Sequence, residues 1–317
     1  MAQVSGLERK IIITGGAGLV GQNLIQRLTA RGYARIVAID KHRANIATLA
    51  RLQPRIQLLE ADLAKPGAWD AVFAGADTLV VNHAQIGSLD EQPFIDNNIT
   101  ATANVIAAAQ RHRIPHVVHI SSSVVNSRAA DFYTQSKKAQ EKLVLDSGLS
   151  VCVLRPTLMF GWFDRKHLGW LARFMRRAPV FPVPGNGRYL RQPLYVGDFC
   201  RIILACVESP RAGQIFNISG QETIEYIDLI RSVKAAANAR AAVIRIPYDL
   251  FWLLLKFYAV FDSDPPFTTS QLDALVIPET FEVIDWPRIF GISATPLAEA
   301  MRQTFQDPVY SGVVLEF

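Results

Sequence analysis

A glycine-rich turn directly follows a short apolar run near the start of the chain. The run extends from Lys10 to Ile13, and the turn reads Thr14-Gly15-Gly16-Ala17-Gly18-Leu19-Val20-Gly21. Such glycines let a backbone turn tightly and approach a pyrophosphate, and the following helix start offers free N–H groups to phosphate oxygens. About 20 residues later, Asp40 ends a second apolar run, where a carboxylate suits a ribose 2′-hydroxyl. These features together predict a dinucleotide site.

Apolar runs continue to alternate with helix-like stretches through the first half of the chain. The further strand-like runs are residues 56–63, 78–84, 116–122 and 150–156. This alternation predicts an α/β fold with a Rossmann-like, doubly wound parallel sheet, whose ligands bind beyond the carboxyl ends of the strands. Prolines and glycines cluster after Pro156. We therefore expect a dinucleotide-binding domain over residues 1–155 and, over 156–317, mainly a smaller substrate-binding lobe, with some segments returning to the first domain.

The cysteines and the chain ends limit the class of protein. Cys152, Cys200 and Cys206 have the spacing of neither a disulfide framework nor a metal site, so buried thiols in a reducing compartment are expected. The first ten residues lack the apolar stretch of a signal peptide. No apolar run reaches the roughly 18–20 residues that span a bilayer. We expect a cytoplasmic protein. Peripheral association with the inner face of the membrane is the alternative.

Positive charge is concentrated in one segment. Residues 155–191 contain eight Lys and Arg residues and a single acid, Asp164, whereas the whole chain has a net charge of +5. A local positive field favours an anionic partner, either a phosphorylated substrate or an anionic membrane. No nucleic-acid motif accompanies the charge, so nucleic acid is not expected as a partner. A solvated helix face is the alternative for the arginines of 173–177, and less so for Arg188 and Arg191 in a glycine-containing loop.

Residues 250–261 form the most apolar stretch and are interrupted only by Lys256. With about 12 residues the stretch is too short to span a bilayer. A helix that is apolar on every side is buried or lies in apolar surroundings. We expect a buried or interface helix. Contact with a membrane surface and an apolar substrate pocket are the alternatives.

Tyr133 and Lys137 are four residues apart in a helix-like stretch and would share one helix face. A nearby ammonium favours the phenolate and would lower the tyrosine pKa. Such a tyrosine can exchange a proton at a carbinol during hydride transfer. The preceding strand ends in Ser121-Ser122-Ser123, which supplies a hydroxyl for the reacting oxygen. The combination predicts a catalytic site.

The chain resembles the extended branch of the short-chain dehydrogenase/reductase superfamily, which includes sugar-nucleotide epimerases and dehydratases. The resemblance covers nearly the whole chain. The matching segments are Thr14 to Gly21 (TGxxGxxG), Asp62-Leu63, the N-x-x-x-T-x-N set Asn98, Thr102 and Asn104, Arg155-Pro156-Thr157 with Phe160-Gly161, and Arg191 to Asp198 (R-x-x-x-x-V-x-D).

This resemblance implies roles for individual residues. Tyr133 would be the acid/base, Lys137 its electrostatic partner and ribose ligand, and Ser122 or Ser123 the orienting hydroxyl. Arg191, with Arg188, would bind a substrate diphosphate, for which a guanidinium is well suited. With Tyr133 and Lys137, the implied cofactor-binding residues are Gly15, Gly18, Leu19, Val20, Gly21, Asp40, Asp62, Leu63, Ala84, Asn98 and Pro156.

The expected cofactor is NAD, because Asp40 would repel the 2′-phosphate of NADP. Lys41 and Arg43 follow closely, however, and are candidates to accommodate that phosphate. NADP therefore stays the alternative.

The sequence also departs from the branch. Nine residues separate Ser123 from Tyr133, where the branch usually has a much longer loop that lines the substrate pocket. Its sugar contacts therefore do not transfer. The short form is similar to a divergent subgroup that includes accessory subunits of complex I. The acids that serve dehydration in the sugar 4,6-dehydratases have no counterpart in Ser123-Val124-Val125, which disfavours dehydration.

Three functions follow from these observations. The first is an NAD-dependent epimerase, a homodimer, that inverts C4 of a diphosphate-linked sugar through a transient ketone, the sugar being carried by a nucleotide or a lipid. The second is an NAD-dependent dehydrogenase of an apolar alcohol, similar to 3β-hydroxysteroid dehydrogenases. The third is a non-catalytic nucleotide-binding subunit, against which the intact Tyr133 and Lys137 argue.

Overall fold

The computed structural model describes residues 6–261, 272, 275–277 and 280–316. Its main feature is a seven-stranded parallel sheet flanked by helices. In chain order the strands are β1 (Ile11–Thr14), β2 (Ile36–Asp40), β3 (Gln57–Glu60), β4 (Thr78–Val81), β5 (Val117–Ile120), β6 (Val151–Pro156), β7 (Met159–Phe160), β8 (Val180–Pro184), β9 (Leu190–Arg191), β10 (Leu194–Tyr195), β11 (Ile215–Ile218), β12 (Ile224–Glu225) and β13 (Ala242–Ile246).

Helices connect most of these strands. They are α1 (Leu19–Arg31), α2 (Arg43–Leu52), α3 (Gln92–Phe94), α4 (Ala101–Arg111), α5 (Phe132–Leu145), α6 (Leu168–Arg177), α7 (Val196–Glu208), α8 (Tyr226–Ala236), α9 (Tyr248–Phe261), α10 (Trp286–Phe290) and α11 (Leu297–Gln306). A π-helical turn, Ile95–Thr100, joins α3 to α4, and a short 3₁₀ helix, Ser123–Asn126, follows β5.

The order of the strands places a crevice at the glycine-rich turn. The sheet runs β3-β2-β1-β4-β5-β6-β11, and β1 pairs in parallel with both β2 and β4. The chain direction across the sheet therefore reverses between β1 and β4. In such sheets ligands bind outside the carboxyl ends of the strands at this reversal. The predicted α/β, Rossmann-like fold is confirmed.

Both faces of the sheet are buried, which explains why its strands are continuous apolar runs. In β1, Ile11 and Ile13 belong to a core that also contains Leu24 of α1 and Ile203 of α7. Ile12 points to the opposite face and joins a second core under α4.

The C-terminal half contributes to the sheet and also builds smaller units of its own. β11 extends the sheet by pairing with β6, and α7 packs against α1. Outside the sheet, β7 pairs with β10, β8 with β13 and β9 with β12. Residue 155, the predicted end of the first domain, thus lies inside β6. This strand pairs with β5 from the first half of the chain and with β11 from the second half.

Helix α9, predicted to be a buried or interface helix, has one exposed apolar side, so it is not fully buried. The side chains of Leu250, Leu253, Leu254 and Phe257 are between 48% and 64% exposed. They are spaced so that they fall on one side of the helix. Helix α9 is therefore apolar on every side because it has apolar residues both on its inward face and on its exposed face. Among the described residues, no helix is long and apolar enough to cross a membrane. The three cysteines are free and buried, as the sequence predicts.

Candidate active site

The glycine-rich turn between β1 and α1 packs tightly against neighbouring backbone. Gly15 has a φ of +64°, and a Cβ atom added there would lie 2.8 Å from the Cα atom of His83. A Cβ atom on Gly21 would lie 2.5 Å from the carbonyl oxygens of Gly15 and Gly16. Glycine is therefore required at both positions, because a side chain would displace either the turn or the first turn of α1.

The start of α1 fits a pyrophosphate. Its N-cap residue, Gly18, supplies no side chain to cap the helix. The first N–H groups of α1, including those of Leu19 and Val20, have no intrahelical acceptor and lie at the positive end of the helix dipole. A Cβ atom added at Gly18 would meet the Gly15 carbonyl oxygen only at 3.4 Å, so the turn is open here. The residues present thus fit a bound dinucleotide.

Asp40 connects the glycine-rich turn to the end of β2. Its Oδ2 accepts the N–H of Ala17 at 2.9 Å, and its Oδ1 accepts the N–H of His42 at 3.0 Å. A carboxylate has about four acceptor sites, so these two bonds leave capacity for ribose hydroxyls. The position is the one predicted for the ribose contact.

The two cations considered for an NADP phosphate have acceptors of their own. Lys41 Nζ donates to Asn97 Oδ1 at 2.6 Å, and Arg43 Nε lies 4.0 Å from a Glu60 carboxylate oxygen. The anionic Asp40 is therefore the main charge at the end of β2. This arrangement favours NAD over NADP.

The remaining predicted cofactor contacts surround the same carboxyl edge. Asp62 follows β3, and its Oδ1 accepts the N–H of Ala64 at 3.1 Å. Leu63 is buried, Ala84 is exposed beyond β4, and Pro156 is buried as the last residue of β6. Each therefore follows or ends a strand on the side where the glycine-rich turn lies.

Asn98 lies in the π-helical turn and is fully buried. Its Oδ1 accepts the N–H of Gln85 at 2.6 Å, and its Nδ2 donates to the Gln85 carbonyl at 3.1 Å and to Ser136 Oγ at 2.9 Å. Both ends of the amide are thus occupied. Asn98 joins the segment after β4 to α5, and this is the contact that the structure assigns to it.

Tyr133 lies in the first turn of α5, whose N-cap Asp131 accepts the N–H of Thr134 at 2.9 Å. The side chain of Ser122, just beyond β5, lies close enough to the Tyr133 phenol to lower its pKa. Ser123 begins the following 3₁₀ helix and is half-buried. The structure therefore brings Ser122, and not Ser123, to the tyrosine.

The expected lowering of the Tyr133 pKa by Lys137 is not found. Burial raises the Tyr133 pKa above its ordinary value, the nearby Ser122 hydroxyl opposes this, and the charge of Asp131 adds to the rise. Lys137 Nζ instead donates to the Ile120 carbonyl at 3.1 Å. The cost of burying a phenolate therefore dominates in the absence of ligand.

Lys137 is 1% exposed and is one of the largest fully buried side chains. Burial lowers its pKa to about 7, and the nearby Glu141 carboxylate partly opposes this shift. The ammonium also donates to Gln140 Oε1. Its protonation is consequently sensitive to pH in the neutral range.

A buried hydrogen-bonded chain leads from Lys137 to the glycine-rich turn. Gln140 Nε2 donates to Thr102 Oγ1 at 2.9 Å, and His83 Nε2 lies 3.0 Å from the same oxygen. His83 Nδ1 lies 2.7 Å from Thr14 Oγ1. The chain thus links the proposed catalytic helix to the last residue of β1.

Burial lowers the pKa of His83 to about 3, and the charge of Lys137 adds to this effect, so its imidazole is neutral. A single assignment of donors and acceptors satisfies every hydrogen bond from Gln140 to Thr14. Thr102, which accepts from Gln140, donates to His83 Nε2, and His83 Nδ1–H donates to Thr14. This order assigns the Nδ1-protonated tautomer from the network.

Sequence reasoning missed Gln140 and His83. Gln140 is three residues after Lys137, a spacing that places the two side chains on one helix face. His83 follows β4 directly, at the carboxyl edge where ligands bind. Both signals were present, but an isolated glutamine or histidine does not reveal its partner.

Glu141 is the carboxylate closest in sequence to this network, and its charge is neutralised. Arg155 forms a two-pronged ion pair with it, and Ser121 Oγ donates to Glu141 Oε2. Asn126 Oδ1 accepts from the same arginine at 3.2 Å. Arg155, at the end of β6, therefore has a structural partner.

Arg191 does not have the free guanidinium expected of a diphosphate anchor. Its Nη1 donates to the carbonyls of Leu190 at 2.8 Å and Ile277 at 2.9 Å, and its Nη2 donates to the Leu275 carbonyl. The guanidinium also lies 5.1 Å from the centre of the Tyr189 ring. Most of its donors are thus used to join β9 to residues 275–277, which leaves fewer of them for the predicted diphosphate contact.

Arg188 is exposed and lines a cavity of about 420 Å³. The cavity lies between the turn at Gly185 and Asn186 and the first residue of α9, Tyr248, with Tyr189 and Val276 also in its wall. A guanidinium beside aromatic rings suits an anionic ligand with a flat or apolar portion.

Other arginines of the basic segment also have backbone partners. Arg173 donates to the carbonyls of Asp164 and Arg165, and Arg176 Nε donates to the Ala237 carbonyl at 2.9 Å. The positive charge predicted to form one anion-binding field is therefore partly used to hold helix ends and loops.

Comparisons with known proteins identify the family. The model of the NAD dependent epimerase/dehydratase family matches residues 11–219. A dTDP-glucose 4,6-dehydratase of Actinoplanes is 26% identical over 273 residues, which cover 76% of this chain and 85% of the relative. A 2-alkyl-3-oxoalkanoate reductase of Stenotrophomonas maltophilia is 26% identical over 332 residues, covering 93% and 98%.

A solved structure extends the likeness to the fold of nearly the whole chain. The UDP-glucuronic acid 4-epimerase of Bacillus cereus, in complex with NAD, superposes with a TM-score of 0.72 and 20% identity over 96% of this chain and 98% of its own. The family match covers the glycine-rich turn, Asp40, Tyr133 and Lys137. The chain therefore belongs to the NAD-dependent epimerase/dehydratase family of extended short-chain dehydrogenases/reductases, and its cofactor is NAD.

Proposed function

We propose that this protein is an epimerase that inverts C4 of a diphosphate-linked sugar through a transient ketone. The observation that carries the proposal is the position of Ser122, directly after β5, beside Tyr133 in the first turn of α5, with Lys137 one helical turn further along the same helix. Bound NAD supplies reversible hydride exchange at the carbinol carbon. Because the hydride returns to the same sugar, no cofactor is consumed.

Tyr133 performs the proton transfer. The Ser122 hydroxyl lowers the Tyr133 pKa, favours the phenolate, and so promotes removal of the carbinol proton. The same phenol returns the proton when the ketone is reduced on its other face. Lys137, one helical turn further along α5, adds positive charge to this end of the site whenever its ammonium is protonated.

Arg188 and its cavity support an anionic substrate. The cavity has the volume for part of a sugar diphosphate, and its guanidinium offers paired donors to phosphate oxygens. A dehydratase would need an acid beside the catalytic serine, where this chain has Val124 and Val125. Both carboxylate oxygens of Glu141 are held by Arg155, and one of them also accepts from Ser121, so this acid has other partners.

The test is incubation of the protein and NAD with a nucleoside-diphosphate hexose, followed by NMR of the sugar. We expect a mixture of C4 epimers without accumulation of NADH. Tyr133→Phe should bind NAD normally and lose at least about 10²-fold in rate, on the order of 3 kcal/mol of barrier. A near-normal rate in this variant would remove Tyr133 from the mechanism.

The second candidate is an NAD-dependent dehydrogenase of an apolar alcohol. The exposed face of α9 and the alkyl substrate in the name of the Stenotrophomonas relative favour it. Such an enzyme would reduce NAD in proportion to alcohol consumed, whereas an epimerase would not. A non-catalytic subunit would bind NAD and convert neither substrate. The homodimer and the cytoplasmic location stay predictions.

A further inference from the structure

The exposed side of α9 is a continuous apolar stripe. Leu250, Leu253, Leu254 and Phe257 recur at the helical spacings of three and four residues, and each is about half exposed or more. Amphipathic helices of soluble proteins normally turn this stripe inward. Here the stripe faces outward, which marks a surface that contacts apolar material.

The strand that leads into α9 also carries apolar groups on its outer face. In the parallel pair β8–β13, Phe181 and Val183 are buried on one face. On the opposite face Val180 is 38% exposed and Ile244 is 42% exposed. Pro247 alone separates β13 from α9, so exposed apolar residues follow one another along 242–257.

A cation and aromatic rings accompany the stripe. Lys256 lies on α9 with its Nζ 4.3 Å from the centre of the Trp252 ring. Asp249 is the acid of the first turn. The aromatic residues of α9 include Trp252 and the exposed Phe257. Aromatic rings, aliphatic side chains and flanking cations are the composition of helices that lie in a membrane interface.

The cavity opens at the start of this helix. Tyr248, the first residue of α9, shares the cavity wall with Arg188. A cation that suits phosphate therefore lies beside an outward apolar helix. A lipid that carries a diphosphate has the matching order of groups, since its charged headgroup is joined to an apolar chain.

From this juxtaposition we propose that α9 lies on an anionic bilayer surface and that the sugar is presented to the enzyme on a lipid diphosphate. The substrate part of this inference rests on the proposed epimerase function, whereas the membrane contact does not. With 14 residues, α9 is about 21 Å long, shorter than the roughly 30 Å hydrocarbon core, so it lies along the surface. The apolar stripe enters the interface, and Lys256 attracts anionic headgroups.

The membrane contact is tested by vesicle sedimentation of the full chain. Vesicles of phosphatidylcholine alone are compared with vesicles that also contain phosphatidylglycerol. We expect sedimentation with the anionic vesicles, weakened by salt, and at least about tenfold weaker partition for Leu253→Asp and Phe257→Asp. Val309→Asp is the matched control, because it adds the same charge at an apolar side chain that is 56% exposed elsewhere. Unchanged thermal unfolding shows that the variants fold.

The substrate class is tested by offering the same sugar on a polyprenyl diphosphate in vesicles and on a soluble nucleoside diphosphate. We expect Phe257→Asp to slow turnover on vesicles and to spare turnover of the soluble substrate. Failure to sediment at low salt overturns the proposal, as does a change from dimer to monomer in Phe257→Asp with no effect on vesicle binding. Vesicle binding without epimerisation of either substrate would instead overturn the proposed function and leave the membrane contact standing.

Discussion

The Lys137 ammonium donates to the Ile120 carbonyl and to the Gln140 side chain, and its burial lowers its pKa. Its pKa of about 7 contrasts with the raised pKa of Tyr133. Both shifts favour the neutral forms, the phenol of Tyr133 and the amine of Lys137, when no ligand is bound. A ligand that brings a partner to either group would therefore change its protonation.

The Lys137 pKa makes stability depend on pH. The folded-state pKa of about 7 is below the ordinary value of 10.5, so between these values the unfolded chain binds the extra proton. Stability should therefore rise with pH from about 7, with a slope of up to about 1.4 kcal/mol per pH unit, and the burial penalty should be fully present below that pH. Lys137→Met should remove this slope in urea unfolding curves. An identical pH dependence in both proteins would contradict the assignment.

Gln140 should act on catalysis by positioning Lys137. Gln140→Leu removes the Lys137 acceptor and the donor to Thr102, so we expect a loss of about 1–3 kcal/mol in stability and a lower kcat. The loss of kcat should change with pH, because the Lys137 pKa should move. Gln110→Leu is the control, since Gln110 makes an exposed bond to the Ser147 carbonyl at 2.8 Å. Equal effects of both substitutions on the pH profile of kcat would rule out the positioning role.

At the scale of elements, the sequence predicted those features that depend on residues close to one another along the chain. The apolar run Ile11–Ile13, the glycines and Asp40 belong to one β–α–β unit, in which neighbours in sequence are neighbours in space. Tyr133 and Lys137 follow from helical spacing in the same way. The partners of Arg191 are more than 80 residues away, at Leu275 and Ile277, and no local pattern encodes them. The exposure of α9 likewise depends on what packs beside it.

The loop around β9 allows its two arginines to be separated by experiment. Arg188→Ala should raise the KM for a diphosphate-linked sugar far more than for the free sugar, because it removes the exposed cation of the cavity. Arg191→Ala should instead lower thermal stability, because three backbone carbonyls lose their donor. Substrate titrations and melting curves of both variants are the measurement. A KM effect confined to Arg191→Ala would restore the diphosphate role to that residue.

At the scale of the whole molecule, the sheet is built and covered by elements from both halves of the chain. β11 covers the edge of β6 with four paired residues, from Ile215↔Val153 to Ile218↔Pro156. On α7, Phe199, Cys200 and Ile203 belong to the core beneath α1. The sequence predicted strands and helices in their order along the chain. It also predicted that some segments after residue 156 would return to the first domain. It did not specify which strand would complete the sheet, because pairing between distant strands leaves no local signal.

Residues 1–155 should therefore fail to fold as an independent NAD-binding domain. The fragment would expose the unpaired edge of β6 and the apolar face of α1 that α7 covers, so we expect aggregation and no cooperative thermal transition. The full chain should unfold cooperatively and gain about 2.7 kcal/mol when NAD is present at 100 times its dissociation constant. Circular dichroism melts of both proteins, with and without NAD, make the comparison. A cooperative fragment whose melting temperature rises with NAD would show instead that the boundary at residue 155 separates two autonomous units, and that β11 and α7 only reinforce the first.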